Sequence, residues 1–416
     1  MINSLLLSLV LPHHNNLDVE EEINEMRLLT NTIGYYIEHV EIQHKKSIDP
    51  ATYFGKGKIT EVFNKIKMLN INIIFVNDEL KPNHYKNIKK ILGEKIEIID
   101  RTVLILNIFT QNAKSKESKA QVKLATLEYM MPRLTGLWTH LERQMGGTGT
   151  TGGPGEKQIE IDRRIIRNDM QKLKKELNNI DKQRNNQKKL RDNVFKISLV
   201  GYTNAGKSSL LKKLSGYNAY IKDQLFATLE TTTKRVILPS GTQVIVSDTV
   251  GFLRKLPHNL VASFRSTLNE IGDSDLIIKL IDINSSDVNG HIETINNTLA
   301  YLDADQCQYL YVFNKIDKIE DSSLFKKINK QFDNPIMLSV LNDLKIDDLI
   351  TAIDNIVQKN NNNYTINLPY TLNSLIDYIY KSSIVLNRKD EFEYIKLDIS
   401  CSKENYNKIQ KKIKYS

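Results

Sequence analysis

Residues 201–208 read Gly201-Tyr202-Thr203-Asn204-Ala205-Gly206-Lys207-Ser208, a G-x-x-x-x-G-K-S sequence, and no other stretch constrains the fold so tightly. Such a loop works only where a strand delivers it and a helix leaves it, because its backbone N–H groups must converge on one anion. Both flanks have that form: Phe195–Val200 is largely apolar, and Ser208–Leu214 reads as a helix. The pattern predicts a phosphate cradle at the carboxyl end of a strand in an α/β sheet. Lys207 is expected to reach the β- and γ-phosphates of a nucleoside triphosphate, and Ser208 to ligate Mg²⁺.

Two further elements follow in order. Val244–Ser247 is a short strand ending in Asp248-Thr249-Val250-Gly251, where Asp248 is expected to hold Mg²⁺ through water and the Gly251 N–H to meet the γ-phosphate. After the apolar run Tyr309–Phe313 come Asn314-Lys315-Ile316-Asp317. The Asp317 carboxylate can accept from both N1–H and the 2-amino group of guanine, whereas adenine offers neither donor, so GTP and GDP are the expected ligands. The implied reaction is in-line attack of water on the γ-phosphate, with Lys207 and Gly251 among the groups that stabilise the transferred charge. Phe252 follows Gly251, where many GTPases place a glutamine that orients the water. A phenylalanine has no hydrogen-bonding group, so hydrolysis is expected to be slow until a partner orders the loops.

At 416 residues the chain exceeds one ordinary core, and 40% hydrophobic with 26% charged residues is a globular composition. The net charge of +9 and pI near 9.1 favour a polyanionic partner. Cys307 and Cys401 are the only cysteines and have no metal-like spacing; adjacent His13 and His14 lack companion ligands. Neither a disulfide framework nor a zinc site is expected. Ile2–Leu11 resembles a signal core but has no basic flank or cleavage site, and no run approaches the ~20 apolar residues of a membrane span. A buried first strand and a cytoplasmic chain without a membrane span are therefore expected.

The expected architecture is multidomain α/β. Residues 1–110 alternate strands (near 5–11, 36–42, 72–76 and 96–100) with helices (near 19–33, 59–69 and 85–92), a small parallel α/β domain. Gly55-Lys56-Gly57-Lys58 opens its second helix and offers a place for a phosphate. Residues 111–193 form a helical hairpin. Leu124, Leu127, Met131, Leu134, Trp138 and Leu141 mark one seam, kinked at Pro132, and Ile159, Ile166, Met170, Leu173, Leu177 and Ile180 mark the other. The glycine-rich tip Gly146–Glu156 joins them, and residues 157–192 carry twelve Lys or Arg against six Asp or Glu, a face suited to RNA phosphates. Residues 194–359 form the GTPase domain on a mostly parallel, doubly wound sheet. After an asparagine linker at 360–363, residues 360–416 form a small α+β domain with strands near 364–368, 384–386 and 394–399 and helices near 372–380 and 405–413.

Tyr53–Lys58, Asp100–Phe109, the Gly146–Glu156 loop, Gly201–Ser208 and Asp248–Phe252 together resemble the HflX family of GTPases, over most of residues 30–340. The resemblance implies a cytoplasmic GTPase, monomeric when free, that binds the large ribosomal subunit in its GTP state and separates or rescues stalled and idle ribosomes, with a role in ribosome biogenesis also open. It implies that the N-terminal domain and the glycine tip approach the peptidyl-transferase region. It also implies that Thr228, within Phe226-Ala227-Thr228-Leu229-Glu230, closes on Mg²⁺ and the γ-phosphate, and that Ser339-Val340-Leu341 lies beside guanine. The residues alone leave Thr231, Thr232 and Thr233 as alternatives to Thr228. Thr151 and Val340 depart from the family's usual arginine and alanine. The competing reading is a nucleotide-gated RNA or ribosome binding module in which hydrolysis only resets affinity.

Overall fold

The computed structural model describes residues 2–12, 16–134, 156–189, 194–216, 226, 231–255, 270–319 and 323–415. Its first sheet is wholly parallel, with β1 (Ile2–Val10), β2 (Tyr35–His44), β3 (Ile73–Val76) and β4 (Glu97–Asp100) in the order β2-β1-β3-β4. Alternation along β1 separates two cores: Leu6 joins Met26, Leu29, Phe75 and Phe109, whereas Leu5 and Leu7 join Ile59, Val62, Ile74 and Ile88. Helices α1 (Asn16–Thr32) and α4 (Arg101–Asn112) therefore cover one face, and α2 (Lys56–Leu69) and α3 (Pro82–Leu92) the other. A strand covered on both faces needs apolar residues at successive positions, as Leu5–Leu7 supply.

Helix α4 has no counterpart among the expected elements. It starts where β4 stops, capped by the Asp100 carboxylate, which accepts from the Val103 N–H at 2.9 Å. Seven of its side chains are buried, from Arg101 to Phe109, so it shows little of the amphipathic period by which helices are read from sequence.

Helix α5 (Lys116–Met130) gives way at Pro132 to a 3₁₀ turn, Met131–Arg133, because proline removes an intrahelical donor. Helix α6 (Glu156–Lys189) runs back along α5: Ile166 packs on Leu127 and Leu134 with Met170 and Leu173 beside them, and Lys174 pairs with Glu128 at 2.9 Å. The hairpin contact thus uses the part of the seam nearest the turn, while Leu177 and Ile180 are only half-buried. Trp138, Leu141 and the glycine loop lie outside the described residues.

The second sheet contains β5 (Phe195–Gly201), β6 (Thr232–Ile237), β7 (Gln243–Asp248), β8 (Leu276–Asp282), β9 (Tyr309–Asn314) and β10 (Ile336–Met337). Its order is β10-β9-β8-β5-β7-β6, parallel throughout except for the antiparallel edge pair β6–β7. Helices α7 (Lys207–Ser215), α8 (Val288–Tyr301) and α9 (Ser323–Gln331) connect these strands, and α10 (Ile346–Lys359) follows β10. The sheet grows outward from β5 in both directions, which opens a crevice above the carboxyl end of β5, where ligands of such folds sit.

The third sheet is antiparallel, β11 (Asn362–Pro369), β12 (Ile384–Asp390) and β13 (Tyr394–Cys401) in the order β11-β13-β12, with α11 (Ile376–Ser382) and α12 (Lys403–Tyr415). Two expectations change here. Asn362 and Asn363 are not linker residues but pair with Cys401 and Ser400, cross-strand pairing having overridden the poor strand propensity of asparagine. The helix expected over 372–380 is a 3₁₀ turn, Tyr370–Leu375, followed by α11, with non-helical backbone at Leu372.

Candidate nucleotide site

The loop Gly201–Ser208 occupies the crevice at the end of β5. Gly206 has φ +98°, and a Cβ there would fall 2.4 Å from Asn314 Nδ2, so only glycine fits. Asn204 is exposed with φ 62°, a conformation asparagine tolerates, while Tyr202, Thr203, Ala205 and Lys207 are buried. Lys207 Nζ donates to the carbonyls of Gly201 at 3.1 Å and Tyr202 at 3.0 Å. Burial pulls its pKa down to about 8 against the opposing charge of Asp248. Ser208 Oγ donates to the Asp248 carboxylate at 2.5 Å, and Thr249 Oγ1 ties the same turn to the Leu199 carbonyl at 2.7 Å.

Asp248–Phe252 docks edge-on against the loop. Phe252 N–H donates to the Gly201 carbonyl at 3.0 Å, and Thr203 N–H donates to the Phe252 carbonyl at 2.9 Å. A Cβ on Gly251 would lie 2.9 Å from Thr203 Cα and 3.2 Å from Lys207 Nζ, so any side chain there would intrude on the phosphate loop. The Phe252 side chain is buried in the apolar cluster that also contains Tyr202, Val250 and Phe226. Its ring fills core and presents no group to water.

At the other end of the crevice, Asn314 braces two loops: Nδ2 donates to the Ala205 carbonyl at 2.9 Å, and Oδ1 accepts from the Val340 N–H at 3.0 Å. Lys315, with φ 68°, places Nζ 2.7 Å from Asp282. Ser339 Oγ donates to the Asp317 carboxylate and also accepts from the Asn342 N–H at 3.2 Å, which orients that carboxylate. Ser339 and Val340 are buried, Ile316 is half-buried and Leu341 is exposed. Thus Gly201–Ser208, Asp248–Gly251, Asn314–Asp317 and Ser339–Leu341 line one crevice. Ala227, Thr228, Leu229 and Glu230 lie outside the described residues. Thr232 and Thr233 belong to β6, where the Thr233 hydroxyl lies 3.2 Å from that of Ser247.

The Ser208 hydroxyl beside the Asp248 carboxylate is the hard oxygen set that Mg²⁺ prefers. Among the described residues no group of three or more His, Cys, Asp or Glu could hold another metal. The Gly55–Lys58 turn fits a phosphate poorly: the Gly55 N–H donates to Gln43 at 2.8 Å, and Lys58 is held by Glu41 at 2.5 Å and Glu61 at 3.1 Å. Two of its donors are therefore already engaged within the fold.

Sequence reading missed a set of residues from the first sheet that grips the crevice. The Tyr202 hydroxyl donates to Glu25 of α1 and accepts the Arg254 N–H at 2.8 Å, and its ring stacks on His291 at 3.8 Å. Burial drives the Tyr202 pKa up to about 12. Arg254 reaches Asp18 at 3.5 Å and Glu21 at 3.2 Å and also pairs with Asp287, and Lys255 bridges Glu22 at 2.8 Å and Asp78 at 2.9 Å. Burial pushes the Glu22 carboxyl up, but the Lys255 charge and hydrogen bond outweigh it and hold the pKa low. Arg101, at the start of α4, pairs with Glu25 and donates to the Arg254 carbonyl at 3.1 Å. At the far end of α4, Asn112 donates to the Phe226 carbonyl at 3.0 Å and Phe109 meets the Phe226 ring edge-on. The run of acids at 20–22 and the Asp100-Arg101-Thr102 phrase were the available signals, but nothing local said what they would face.

No helix among the described residues is long and apolar enough to cross a membrane. Family models match three consecutive regions: "GTP-binding GTPase N-terminal" over residues 20–110, "GTP-binding GTPase Middle Region" over 112–191 and "50S ribosome-binding GTPase" over 196–315. Among curated relatives, the GTPase HflX of Caldanaerobacter subterraneus is 38% identical over 390 residues, covering 92% of this chain and 88% of that protein. GTPase HflX of Chlamydia pneumoniae is 33% identical over 403 residues, covering 95% and 85%. GTPase HflX of Escherichia coli is 37% identical over 303 residues, covering 72% and 70%. A phosphate-binding loop on a doubly wound sheet, joined to the three regions these relatives share, places the chain in the HflX family of GTP-binding and GTP-hydrolysing proteins.

Proposed function

We propose that this GTPase is a nucleotide-gated factor of the large ribosomal subunit, docking in its GTP state and separating or rescuing stalled or idle ribosomes. The observation that carries this reading is the grip of α4 on both segments flanking the γ-phosphate side of the crevice: Arg101 on Arg254, which follows Gly251, and Asn112 on Phe226, which precedes Thr228. Any rearrangement of those segments on GTP binding or hydrolysis is then passed to the first sheet. The basic face of α6 supplies charge for rRNA phosphates. The "50S ribosome-binding GTPase" description of the matched family agrees with this reading.

In the proposed site Asp317 reads guanine, Asn314 and the Ser339–Leu341 loop shape its pocket, and Ser208 and Thr228 hold Mg²⁺. When bound, Mg²⁺ neutralises charge on the β- and γ-phosphate oxygens. Lys207 and the loop amides stabilise the transferred phosphoryl charge, and the Gly251 N–H orients the γ-phosphate. Phe252 supplies no water-positioning group, so the isolated protein hydrolyses GTP slowly and the ribosome accelerates it. The chain acts in the cytoplasm. The domain division at about residues 110, 193 and 359 follows the separate sheets and the α5–α6 hairpin.

Sedimentation with ribosomes and isolated subunits, comparing a non-hydrolysable GTP analogue with GDP, tests the assignment. Binding to the large subunit with the analogue and release with GDP is expected. Equal binding in both states, or none, would sink the ribosomal reading and leave the GTPase intact. The buried Phe252 also favours a second reading, in which binding alone separates subunits and hydrolysis resets affinity; single-turnover splitting supported by the analogue would establish it.

A further inference from the structure

Tyr202 follows Gly201 in the phosphate loop, where backbone N–H groups make the cradle, so anion binding itself calls for no large side chain there. Its side-chain contacts lie outside the loop. The hydroxyl donates to Glu25 of α1 and accepts the N–H of Arg254 at 2.8 Å, while the ring lies flat on His291 of α8 at 3.8 Å and 11°. Burial keeps the phenol protonated, so one oxygen serves as donor and acceptor at once.

These contacts bear on the segment that leaves β7. The Gly201 carbonyl accepts from both Lys207 Nζ at 3.1 Å and the Phe252 N–H at 3.0 Å, and the Phe252 carbonyl takes the Thr203 N–H at 2.9 Å. Two backbone bonds thus seat the segment on the loop. Tyr202 adds a third tie, from a loop side chain to the backbone of Arg254, two residues beyond Phe252. The product is the place of Gly251: a Cβ on it would lie 3.2 Å from Lys207 Nζ, so Gly251 and the ammonium are held side by side. Donors fixed in that way need not be gathered when a phosphoryl group arrives.

Helix α8 steadies both ends of the tie. His291, in its first turn, supports the Tyr202 ring, and its N-cap Asp287 pairs with the Arg254 guanidinium. Without the imidazole one face of the ring loses its support, and a tyrosine that tips carries its hydroxyl away from the Arg254 N–H.

We propose that Tyr202 is a positioning residue for GTP and that His291 holds it in place, the pair keeping Gly251 beside Lys207 so that both meet the γ-phosphate. The inference rests on the reading of Gly251 as a γ-phosphate donor and is independent of the ribosomal reading.

The test is equilibrium binding of a non-hydrolysable GTP analogue and of GDP to the full chain with Mg²⁺. The ratio of the two affinities isolates the γ-phosphate, whereas general damage to the site lowers both. Tyr202→Phe keeps the ring and removes the hydroxyl, and the ratio of analogue to GDP affinity should fall about fivefold, the worth of one hydrogen bond. His291→Ala should lower it to a similar degree, and His291→Phe, which keeps a flat ring against Tyr202, should hold it within about twofold of the unaltered chain. Should Tyr202→Phe fail to fold, the two His291 variants decide. An unchanged or increased ratio in Tyr202→Phe and His291→Ala overturns the proposal. Gly251→Ala separates the two possible failures: if it lowers the ratio when the others do not, the tie alone is refuted, and if it too changes nothing, the reading of Gly251 falls with it.

Discussion

Lys207 shows how far one buried side chain can be argued. Burial lowers its pKa to about 8, whereas phosphate oxygens favour the charged ammonium and must raise it. Nucleotide binding should therefore take up a proton at about pH 8.5 and almost none at about pH 6.5, with affinity falling as pH climbs past the free-protein value. Calorimetry in buffers of different ionisation heat measures this directly; equal uptake at both pH values would contradict it. The stability sign is the reverse of a salt-bridged lysine: between the folded value of about 8 and the ordinary 10.5 the unfolded chain binds more protons, so this group makes the nucleotide-free fold more stable as pH rises through that window. Asp317 allows a sharper substitution. Asp317→Asn exchanges an acceptor for a group that can donate to the 2-oxo group of xanthine, so GTP affinity should drop at least about 100-fold while a xanthosine nucleotide gains. An unchanged preference in competition binding would remove Asp317 from the role of base reader. Both roles are proposed from spacing alone, because phosphate and guanine each demand a short run of fixed residue types.

Among the elements, α4 was the least legible, and with α1 it joins the two parallel sheets. Its burial erased the amphipathic signal, and its partners, Glu25, Arg254 and Phe226, are distant in sequence. Replacing Arg101 with alanine leaves Glu25 buried without its cation, an uncompensated charge that costs about 3–5 kcal/mol. Denaturant unfolding should show that loss, and a change below about 1 kcal/mol would mean that the pair is solvated and the grip weak. The strands of both parallel sheets that were named from apolar runs appear within a few residues of their expected positions. β6 was not read as a strand, because Thr232, Thr233, Lys234 and Arg235 form a polar edge that, among the described residues, pairs with β7 alone. The asparagines of β11 were misread for a related reason: their strand exists because β13 pairs with it.

For the whole molecule, the three sheets divide into a linked pair and a separate body. Apolar residues from α1, α4 and the second sheet share one cluster, and the Arg254 and Lys255 ion pairs join the same two layers. The third sheet keeps its own core, including Ile366, Leu397, Ile399 and Ile409. Ending the chain after Lys359 should therefore leave GDP affinity and the stability of the remainder within about 0.5 kcal/mol, since distant sites act additively. A larger loss would show that the third sheet braces the GTPase core. Sequence by itself picked out the motifs that meet at the end of β5 and the parallel strand-helix alternation, because both are written in local periods and short motifs. Only tertiary structure decided that α1 and α4 clasp the segment that follows Gly251 and that α4 also holds Phe226. Those relations join residues up to hundreds of positions apart, and charge or burial at one of them says nothing about its partner until the chain has folded.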